Sequence, residues 1–203
     1  MNPFYSILLF VIAYLFGSFP SAYLMVKWVL KKDIRQMGSG NVGALNVLQS
    51  TRNFLLGMTV LLIDIVKGFL PAYYVTSIQH VDLSTLLVVV SGVLFGHIHP
   101  VWLKFRGGRG LAVTAGALLA IKPILVAIWL VLWIIFYIFI RNYTIVTLIA
   151  TFLLPIIVFF TTDWLFGHDV LLMILPVCML VFFRHLEGVY RLVKTGTSKN
   201  KER

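Results

Sequence analysis

The feature that most constrains this chain is the length of its uncharged apolar runs. From Phe4 to Val26 the sequence contains no Asp, Glu, Lys or Arg. A helix that crosses the hydrocarbon core of a bilayer needs about 20 such residues. Of the whole sequence, 60% is hydrophobic and 12% is charged, whereas soluble domains carry about 25% charged residues. The sequence therefore predicts that lipid, and not water, surrounds most of the chain.

Seven apolar segments follow one another and predict the fold class. They cover residues 4–26, 54–78, 83–97, 110–121, 123–140, 144–161 and 169–183. The third and fourth segments are short for a span, which leaves open tilting, extension into the flanking loops or incomplete crossing. We predict an all-α integral membrane protein with a seven-helix transmembrane bundle. No repeat or linker divides the sequence, so we predict a single domain over 1–203 with a polar tail at 194–203.

The distribution of Lys and Arg predicts the orientation of this bundle. With the C-terminus placed in the cytoplasm, fifteen of the 17 Lys and Arg residues fall in inner segments. Lys122 lies in an outer connection and Lys67 lies inside a span. Because cytoplasmic loops are enriched in basic residues, the N-terminus is predicted outside and the C-terminus inside. The net charge of +10 then reflects orientation, and we expect no nucleic-acid partner.

Small residues at four-residue spacing predict how the helices pack. Gly92 and Gly96 have this spacing in the third segment, and Ala112 and Gly116 have it in the fourth. Such positions let membrane helices approach closely. We expect tight packing within one bundle, with a homodimer face as the alternative.

Glycine and basic residues gather in the predicted inner loops. The three polar clusters are KKDIRQMGSGNVGALN (31–46), GHIHPVWLKFRGGRG (96–110) and RHLEGVYRLVKTGTSK (184–199). The stretch GSGNVG at 38–43 fits the dinucleotide-binding pattern G-x-G-x-x-G, but a basic polar run precedes it where that site requires a strand. A Rossmann site is therefore excluded, and any chemistry is expected on the cytoplasmic face.

The stretches GSGNVG and FRGGRG suggest a common purpose. Glycine allows positive φ and a close approach of the backbone to a ligand. Successive backbone N–H groups can then form an anion-binding concavity. Arg35, Arg106 and Arg109 supply planar forks that suit phosphate oxygens. We therefore favour a site for phosphorylated substrates, with interface turns that contact anionic lipid headgroups as the alternative.

Ionisable residues also occur within and at the ends of the spans. Asp64 and Lys67 are three residues apart, which places them on one helix face. Charges within a span suggest function, and two interpretations stay open: a pair that anchors the loops, or a direct contact with substrate. His97, His99 and His185 fit no metal-binding spacing, so we predict no metal. For these histidines, a role as base or phosphate-orienting group competes with ordinary interfacial placement.

Five stretches together resemble one family, the bacterial acyl-phosphate:glycerol-3-phosphate acyltransferases, or PlsY family. They are GSFPSAYL (17–24), DIRQMGSGNVGALN (33–46), DIVKG (64–68), GHIHPVWLKFRGGRG (96–110) and RHLEGVYRL (184–192). The resemblance implies a seven-helix enzyme of the bacterial cell membrane with its active site on the cytoplasmic face. It implies acyl transfer from acyl phosphate to glycerol 3-phosphate, giving lysophosphatidic acid for phospholipid synthesis. It implies no cofactor and no metal; the expected partners are these two substrates and membrane lipids, and a protein partner is left open.

The resemblance also implies roles for the matched residues. Ser39, His185 and Arg109 are the candidate catalytic residues, with Arg109 neutralising phosphate and His185 or a substrate phosphate oxygen taking the hydroxyl proton. The candidate residues for binding substrate or phosphate are Arg35, Gly38, Gly40, Asn41, Gly43, Asn46, His97, Lys104, Arg106, Gly107, Gly108, Gly110 and Arg184. Asp64 and Lys67 join them as an intramembrane pair.

Six positions depart from the family pattern. Leu45 replaces a threonine, Gln49 an arginine, His99 a Phe or Tyr, Arg109 a lysine, Gly188 an asparagine and Ser198 an acidic residue. Replacing arginine by Gln49 removes a charged hydrogen bond worth about 1.5–3 kcal/mol. The departures leave open an alternative function, a non-catalytic or weakly active homologue that binds lipid phosphate or a partner protein.

Overall fold

A computed structural model of the protein describes residues 2–78 and 82–199. Within these residues every regular element is a helix, which confirms the all-α class. Internal contacts divide the chain into two compact units, Met1–Pro123 and Ile124–Arg203. The single domain expected over 1–203 stays a prediction.

The first unit has six α-helices among its described residues. They are α1 (Pro3–Gly17), α2 (Ser21–Leu30), α3 (Ala44–Thr51), α4 (Phe54–Ser77), α5 (Leu83–Ile98) and α6 (Leu111–Ile121). Two loops of this unit hold the glycine clusters, and each contains one turn of 3₁₀ helix. We name them the first glycine loop (residues 31–43) and the second glycine loop (residues 99–110).

The first apolar segment is not one continuous helix. The span predicted at 4–26 is divided between α1 and α2 by the non-helical residues 18–20. Pro20 lacks an N–H group and disfavours helical dihedrals at Phe19, which favours a break of the helix at this point. The break brings the carbonyl oxygen of Phe19 within reach of Lys67, whose ammonium donates to it at 2.8 Å.

Glycines set the closest helix contacts of the first unit, between α1 and α5 and between α4 and α6. A Cβ atom at Gly96 would overlap the carbonyl oxygen of Tyr14. A Cβ atom at Gly116 would overlap the carbonyl oxygen of Ile65. Because neither glycine has a side chain, the paired backbones can touch. The predicted tight packing within the chain is confirmed at both crossings.

Six helical segments of the described residues, two of them interrupted by short non-helical stretches, are long and apolar enough to cross a bilayer. These candidate spans are Pro3–Leu30, Phe54–Ser77, Leu83–Leu103, Pro123–Ile140, Tyr143–Phe160 and His168–Glu187. The segment predicted at 83–97 does extend into its flanking loop. By contrast α6 has 11 residues, which cover about 17 Å of a hydrocarbon core about 30 Å thick. The all-helical membrane class is confirmed, while the crossing of the bilayer by α6, the count of seven spans and the orientation of the termini stay predictions.

The second unit contains the remaining long helices. They are α7 (Pro123–Ile140), α8 (Tyr143–Phe160) and α9 (His168–Lys199), with a wide helical turn at Thr162–Phe166. The indole N–H groups of Trp129 and Trp133 donate to the hydroxyls of Thr151 and Thr147 at 3.1 and 3.0 Å, which ties α7 to α8. The predicted polar tail at 194–203 continues α9 as helix up to Lys199, and its last four residues lie outside the described residues.

Candidate active site

Asn46 organises the first glycine loop from its position on α3. Its side chain is buried, with 2% exposed. Nδ2 donates to the carbonyl oxygens of Met37 at 3.0 Å and Asn41 at 2.8 Å, and more weakly to that of Ile34 at 3.4 Å. Oδ1 accepts from the backbone N–H of Ser39 at 3.0 Å. One amide thus fixes the loop on both sides of the serine that the sequence singled out.

Glycine is required in this loop by backbone conformation and by space. Gly38 and Gly40 have φ values of 53° and 69°, in the left-handed region. A Cβ atom at Gly38 would also overlap the hydroxyl of Ser50. The loop is therefore a tight turn whose shape a larger residue would change, while Ser39 stays exposed on its surface.

The backbone N–H groups of Ser39, Gly40 and Asn41 have partners within the protein, and the expected row of N–H donors for a phosphate stays a prediction. Gly40 donates its N–H to the carbonyl oxygen of Met37 at 2.9 Å, and Ser39 donates to Asn46. The N–H of Asn41 points to the hydroxyl of Ser39 at 3.4 Å. Since these donors serve the loop itself, a bound phosphate would have to be held mainly by side chains.

Arg35 is held within the first glycine loop by its own neighbour. Its guanidinium pairs with Asp33, with Nη2 and Oδ2 2.6 Å apart, and it also lies 5.0 Å from the ring centre of Tyr23. The hydrogen bonds from Arg35 lower the pKa of Asp33 below its usual value. Phosphate binding by Arg35 would therefore compete with this ion pair.

The second glycine loop is folded back against the end of α5. Gly107 and Gly108 donate their N–H groups to the carbonyl oxygens of Ile98 at 3.0 Å and His97 at 3.1 Å. Cβ atoms at these glycines would overlap Pro100 and the His97 ring. At Gly107 and Gly108 the glycines serve close packing, and the expected cradle of N–H donors for a phosphate stays a prediction.

The charged side chains of this loop are the ones that reach the surface. Lys104 and Arg106 are exposed, and Arg109 is half-buried. Lys104 and Phe105 both adopt positive φ, at 54° and 60°, which turns the chain sharply before the glycines. Gly110, with φ 86°, is the residue immediately before α6. The loop thus combines a buried glycine turn with outward-facing cations.

A buried polar cluster lies beside the second glycine loop. Asp64 and Lys67 form the ion pair that their spacing predicts, with Nζ and Oδ1 2.8 Å apart. Ser21 donates its hydroxyl to the same carboxylate at 2.5 Å, and Lys67 Nζ is 3.4 Å from Nδ1 of His97. Ser21, Lys67 and His97 of this cluster line a small open pocket whose other walls include Val42, Gly107 and Gly108.

His185 and Arg184 belong to the second unit, on α9. His185 is 5% exposed, and its Nδ1 is 2.8 Å from the carbonyl oxygen of Val181. Because a carbonyl only accepts, Nδ1 carries the proton, and in the neutral ring Nε2 is the basic atom. Arg184 pairs with Glu187 at 2.5 Å. This geometry suits a general base, and the shared role with Ser39 stays a prediction.

Ser21 and Phe19 are site residues that sequence reasoning did not select. Ser21 lies in the matched stretch GSFPSAYL and is the first residue of α2, so the resemblance offered a hint. Phe19 contributes only its carbonyl, which no residue-type argument reveals. Across the described residues no group of three or more His, Cys, Asp or Glu could hold a metal ion, and the expected absence of a metal stays a prediction.

The fold and these loops define a helical, multi-pass membrane protein. The sequence matches the family model described as glycerol-3-phosphate acyltransferase over residues 7–195, and the chain belongs to this acyltransferase family. The glycerol-3-phosphate acyltransferase of Pelagibacter ubique is 34% identical, covering 93% of this chain and 94% of the relative. That of Anaplasma phagocytophilum is 35% identical, covering 92% and 95%.

Two crystal structures share the fold. Both are of PlsY (YgiH), an integral membrane glycerol 3-phosphate acyltransferase, one in its glycerol 3-phosphate form and one in its lysophosphatidic acid form. The TM-scores are 0.80 and 0.78, with 29% identity over 94% of this chain and 93% of the other. The resemblance inferred from the sequence motifs is thereby confirmed at the level of family and fold.

Proposed function

We propose that this protein transfers an acyl group from acyl phosphate to glycerol 3-phosphate and releases lysophosphatidic acid and phosphate. Family membership supports acyl transfer, and the glycerol 3-phosphate form of the solved relative supports the acceptor. The lysophosphatidic acid form of that relative supports the product. Acyl phosphate as donor rests on the motif resemblance.

The observation that carries the proposal is that, in each glycine loop, one residue fixes the backbone while others present polar or charged side chains at the surface. A buried polar residue, Asn46 or His97, holds the loop, while Ser39 and the loop cations Lys104 and Arg109 lie at or near the surface. A loop fixed before substrate arrives loses little entropy on binding and keeps its charges aimed. This is the arrangement that recognition of a phosphorylated acceptor requires.

The chemistry needs little from the protein beyond position and charge. The acceptor hydroxyl oxygen attacks the carbonyl carbon of acyl phosphate, the bond from that carbon to the phosphate oxygen breaks, and inorganic phosphate leaves. The hydroxyl proton goes to Nε2 of His185 or to a phosphate oxygen. Arg109 balances phosphate charge, and Ser39 contacts the reacting groups. No covalent enzyme intermediate is needed because phosphate is already a good leaving group.

The chemistry of the two substrates indicates where in the cell the reaction takes place. An acyl phosphate has a lipid-soluble chain and a charged head, so its natural meeting point with a soluble acceptor is a membrane surface. We propose the bacterial cell membrane, with both glycine loops on the cytoplasmic face, where the positive-inside pattern places their basic residues.

The purified protein in detergent tests the proposal directly. It is supplied with palmitoyl phosphate and glycerol 3-phosphate, and phosphate release and lysophosphatidic acid are followed by mass spectrometry. His185→Ala should abolish turnover. His185→Asn can still donate to the Val181 carbonyl but cannot act as base, so it should stay folded and lose roughly 10²–10⁴-fold in rate. Full activity in either variant would overturn the role of His185.

The motif departures favour a second candidate, a homologue that binds lipid phosphate or a partner without turnover. Gln49 is exposed on α3, one turn beyond Asn46, where the family has an arginine. A silent wild-type protein beside an active relative, assayed in parallel, would support this alternative. Turnover by the wild type would instead make Gln49 and Arg109 tolerated variants.

A further inference from the structure

Lys67 occupies a point of the first unit where α4 meets the α1–α2 break and the end of α5. Its ammonium lies 2.8 Å from both Asp64 Oδ1 and the Phe19 carbonyl oxygen, and 3.4 Å from Nδ1 of His97. Only 4% of Lys67 and 1% of Asp64 are exposed. In such a low-dielectric site hydrogen-bond geometry has large energetic consequences. An ion pair alone would not require the third contact.

The contact between Lys67 and His97 fixes the tautomer of the imidazole ring. An ammonium group only donates, so Nδ1 of His97 must accept. Asp64 Oδ1 is 3.8 Å from Nδ1, too far for a hydrogen bond that would place a proton there. A second positive charge beside the ammonium would also be unfavourable. The ammonium is equally far from the hydroxyl of Ser21, at 3.4 Å, and its contact with Nδ1 favours the tautomer of His97 that carries the proton on Nε2.

Asp64 keeps this arrangement in place as the counter-ion of Lys67, with Oδ1 2.8 Å from Nζ. An ammonium held in this position can only donate to Nδ1 of His97. Ser21 donates to Asp64 at 2.5 Å and so satisfies a further lone pair of the carboxylate. Serine, carboxylate and ammonium together make Lys67 a fixed donor.

The Nε2 edge of His97 faces the second glycine loop. A Cβ atom at Gly108 would overlap Nε2, and the carbonyl of His97 accepts the N–H of Gly108 at 3.1 Å. The next residue is Arg109, which binds phosphate in the proposed function. The position of the imidazole ring is thereby coupled to the backbone that carries Arg109.

We propose that the Asp64–Lys67 pair is a positioning device: it holds His97 as the Nε2–H tautomer, and the His97 ring holds the second glycine loop so that Arg109 meets the acceptor phosphate. Lys67 and His97 are positioning residues, because they act through the loop. The inference rests on the proposed function, since its effect on turnover passes through Arg109. It differs from both earlier interpretations of the pair, a passive anchor and a direct substrate contact.

The test removes both charges together, because a single replacement would leave a buried unpaired charge and damage the fold. Asp64→Asn with Lys67→Met keeps the side-chain volumes close to those of the native pair. In ¹⁵N-histidine-labelled protein in micelles, the wild-type His97 ring should show an unprotonated Nδ1. The double variant should show a mixture of tautomers. It should also raise the KM for glycerol 3-phosphate about tenfold and change kcat less than about threefold.

Two substitutions of His97 provide an independent comparison. The side-chain nitrogen of glutamine reaches the position of Nε2, and that of asparagine reaches the position of Nδ1. Because the proposal places the donor at Nε2, His97→Gln should keep a lower KM than His97→Asn. Equal losses in the two variants would indicate a merely structural role. The His97→Gln spectrum also assigns the His97 signals.

Thr114→Val is the matched control. Thr114 has a buried hydroxyl for which the described residues supply no hydrogen-bond partner, so its removal should leave KM and the His97 signals unchanged. Wild-type KM and unchanged His97 signals in the double variant would overturn the inference. Absence of turnover and of glycerol 3-phosphate binding in the wild type would instead refute the proposed function. The tautomer in the double variant would still decide whether Lys67 controls His97.

Discussion

Asn46 and Ser39 are joined by a hydrogen bond in which the backbone N–H of the serine donates to Oδ1 of the asparagine at 3.0 Å. The same asparagine donates to the carbonyl oxygens of Met37 and Asn41 on either side of the serine. A buried amide on α3 thus sets the conformation of an exposed serine on a loop. The loop conformation depends on a side chain that need not touch substrate.

Replacing Asn46 should therefore disable the loop without unfolding the protein. Asn46→Asp keeps the acceptor for Ser39 but turns a carboxylate toward loop carbonyl oxygens, each of which loses a donor. An unsatisfied buried polar group costs about 1–3 kcal/mol, so we expect turnover to fall about 100-fold or more. Turnover and hydrogen exchange of residues 33–43 measure the effect.

Ser50→Ala is the control for Asn46→Asp. Ser50 donates to the same Oδ1 at 3.0 Å but does not hold the loop. Its loss should reduce turnover less than about threefold, in line with one ordinary hydrogen bond. If Asn46→Asp keeps wild-type turnover and exchange, the loop does not depend on Asn46 and the interpretation is wrong.

The second glycine loop should be intolerant of a single added methyl group at Gly108. A Cβ atom there would overlap Nε2 of His97 and come within 2.9 Å of the Val42 carbonyl oxygen, so Gly108→Ala must shift the loop or the ring. We expect KM for glycerol 3-phosphate to rise about tenfold or more. Gly43→Ala is the comparison, because its Cβ would meet only the end of the Asn41 side chain at 3.0 Å. An effect at Gly43 as large as that at Gly108 would contradict the steric explanation.

The fold class could be predicted from sequence because lipid allows few solutions. The run from Phe4 to Val26 has to be helical to satisfy its backbone in hydrocarbon. Its break at Pro20 was missed, since a membrane helix can also bend at proline without ending. The short segment predicted at 110–121 forms α6 after Gly110, whose φ of 86° lies outside the helix, and its crossing of the bilayer stays a prediction because apolar length alone does not decide it.

The site could be predicted as a set of loops but not as a set of contacts. The glycines at 38, 40, 107 and 108 were correctly marked as special from their pattern. Whether their N–H groups serve a ligand or the loop depends on which carbonyl oxygens tertiary packing brings near. The roles of Asn46 and His97 were missed for the same reason. In sequence, a buried polar residue that holds a loop cannot be distinguished from a polar residue that contacts substrate.

Asp82 gives a pH-dependent prediction at the start of α5. Its carboxylate accepts from the side chain of Thr85, from that of Ser84 at 2.8 Å and from the backbone N–H of Thr85 at 3.0 Å, which lowers its pKa from 3.8 to about 2. Because the folded pKa is below the unfolded value, the cap contributes fully above about pH 4 and is lost as the pH falls through about 2.

Hydrogen exchange in the first turn of α5 checks this dependence. In the wild type, the protection of the Thr85 backbone amide from exchange, relative to that of an amide in the middle of α5, should fall between pH 4 and pH 2. These limits correspond to the ordinary and the lowered pKa of Asp82. Asp82→Asn can cap the helix without titrating, so its relative protection should not change over this range. Asp82→Ala should lack the protection throughout. A titration that persists in Asp82→Asn would assign the effect to another group.

Arg109 provides the most direct test of how the charged loop selects its substrate. A hydrogen bond to a charged group contributes about 1.5–3 kcal/mol, so Arg109→Met should raise the KM for glycerol 3-phosphate about 10- to 100-fold. Arg109→Lys restores the residue usual in the family; it keeps the charge but loses the planar fork, so its KM should rise less. The KM of the wild type should also increase more steeply with salt than that of Arg109→Met, because one charge interaction is screened in the first and absent in the second. Equal salt dependence with unchanged KM would place phosphate recognition on other cations, and Lys104 and Arg106 would then be the next residues to replace.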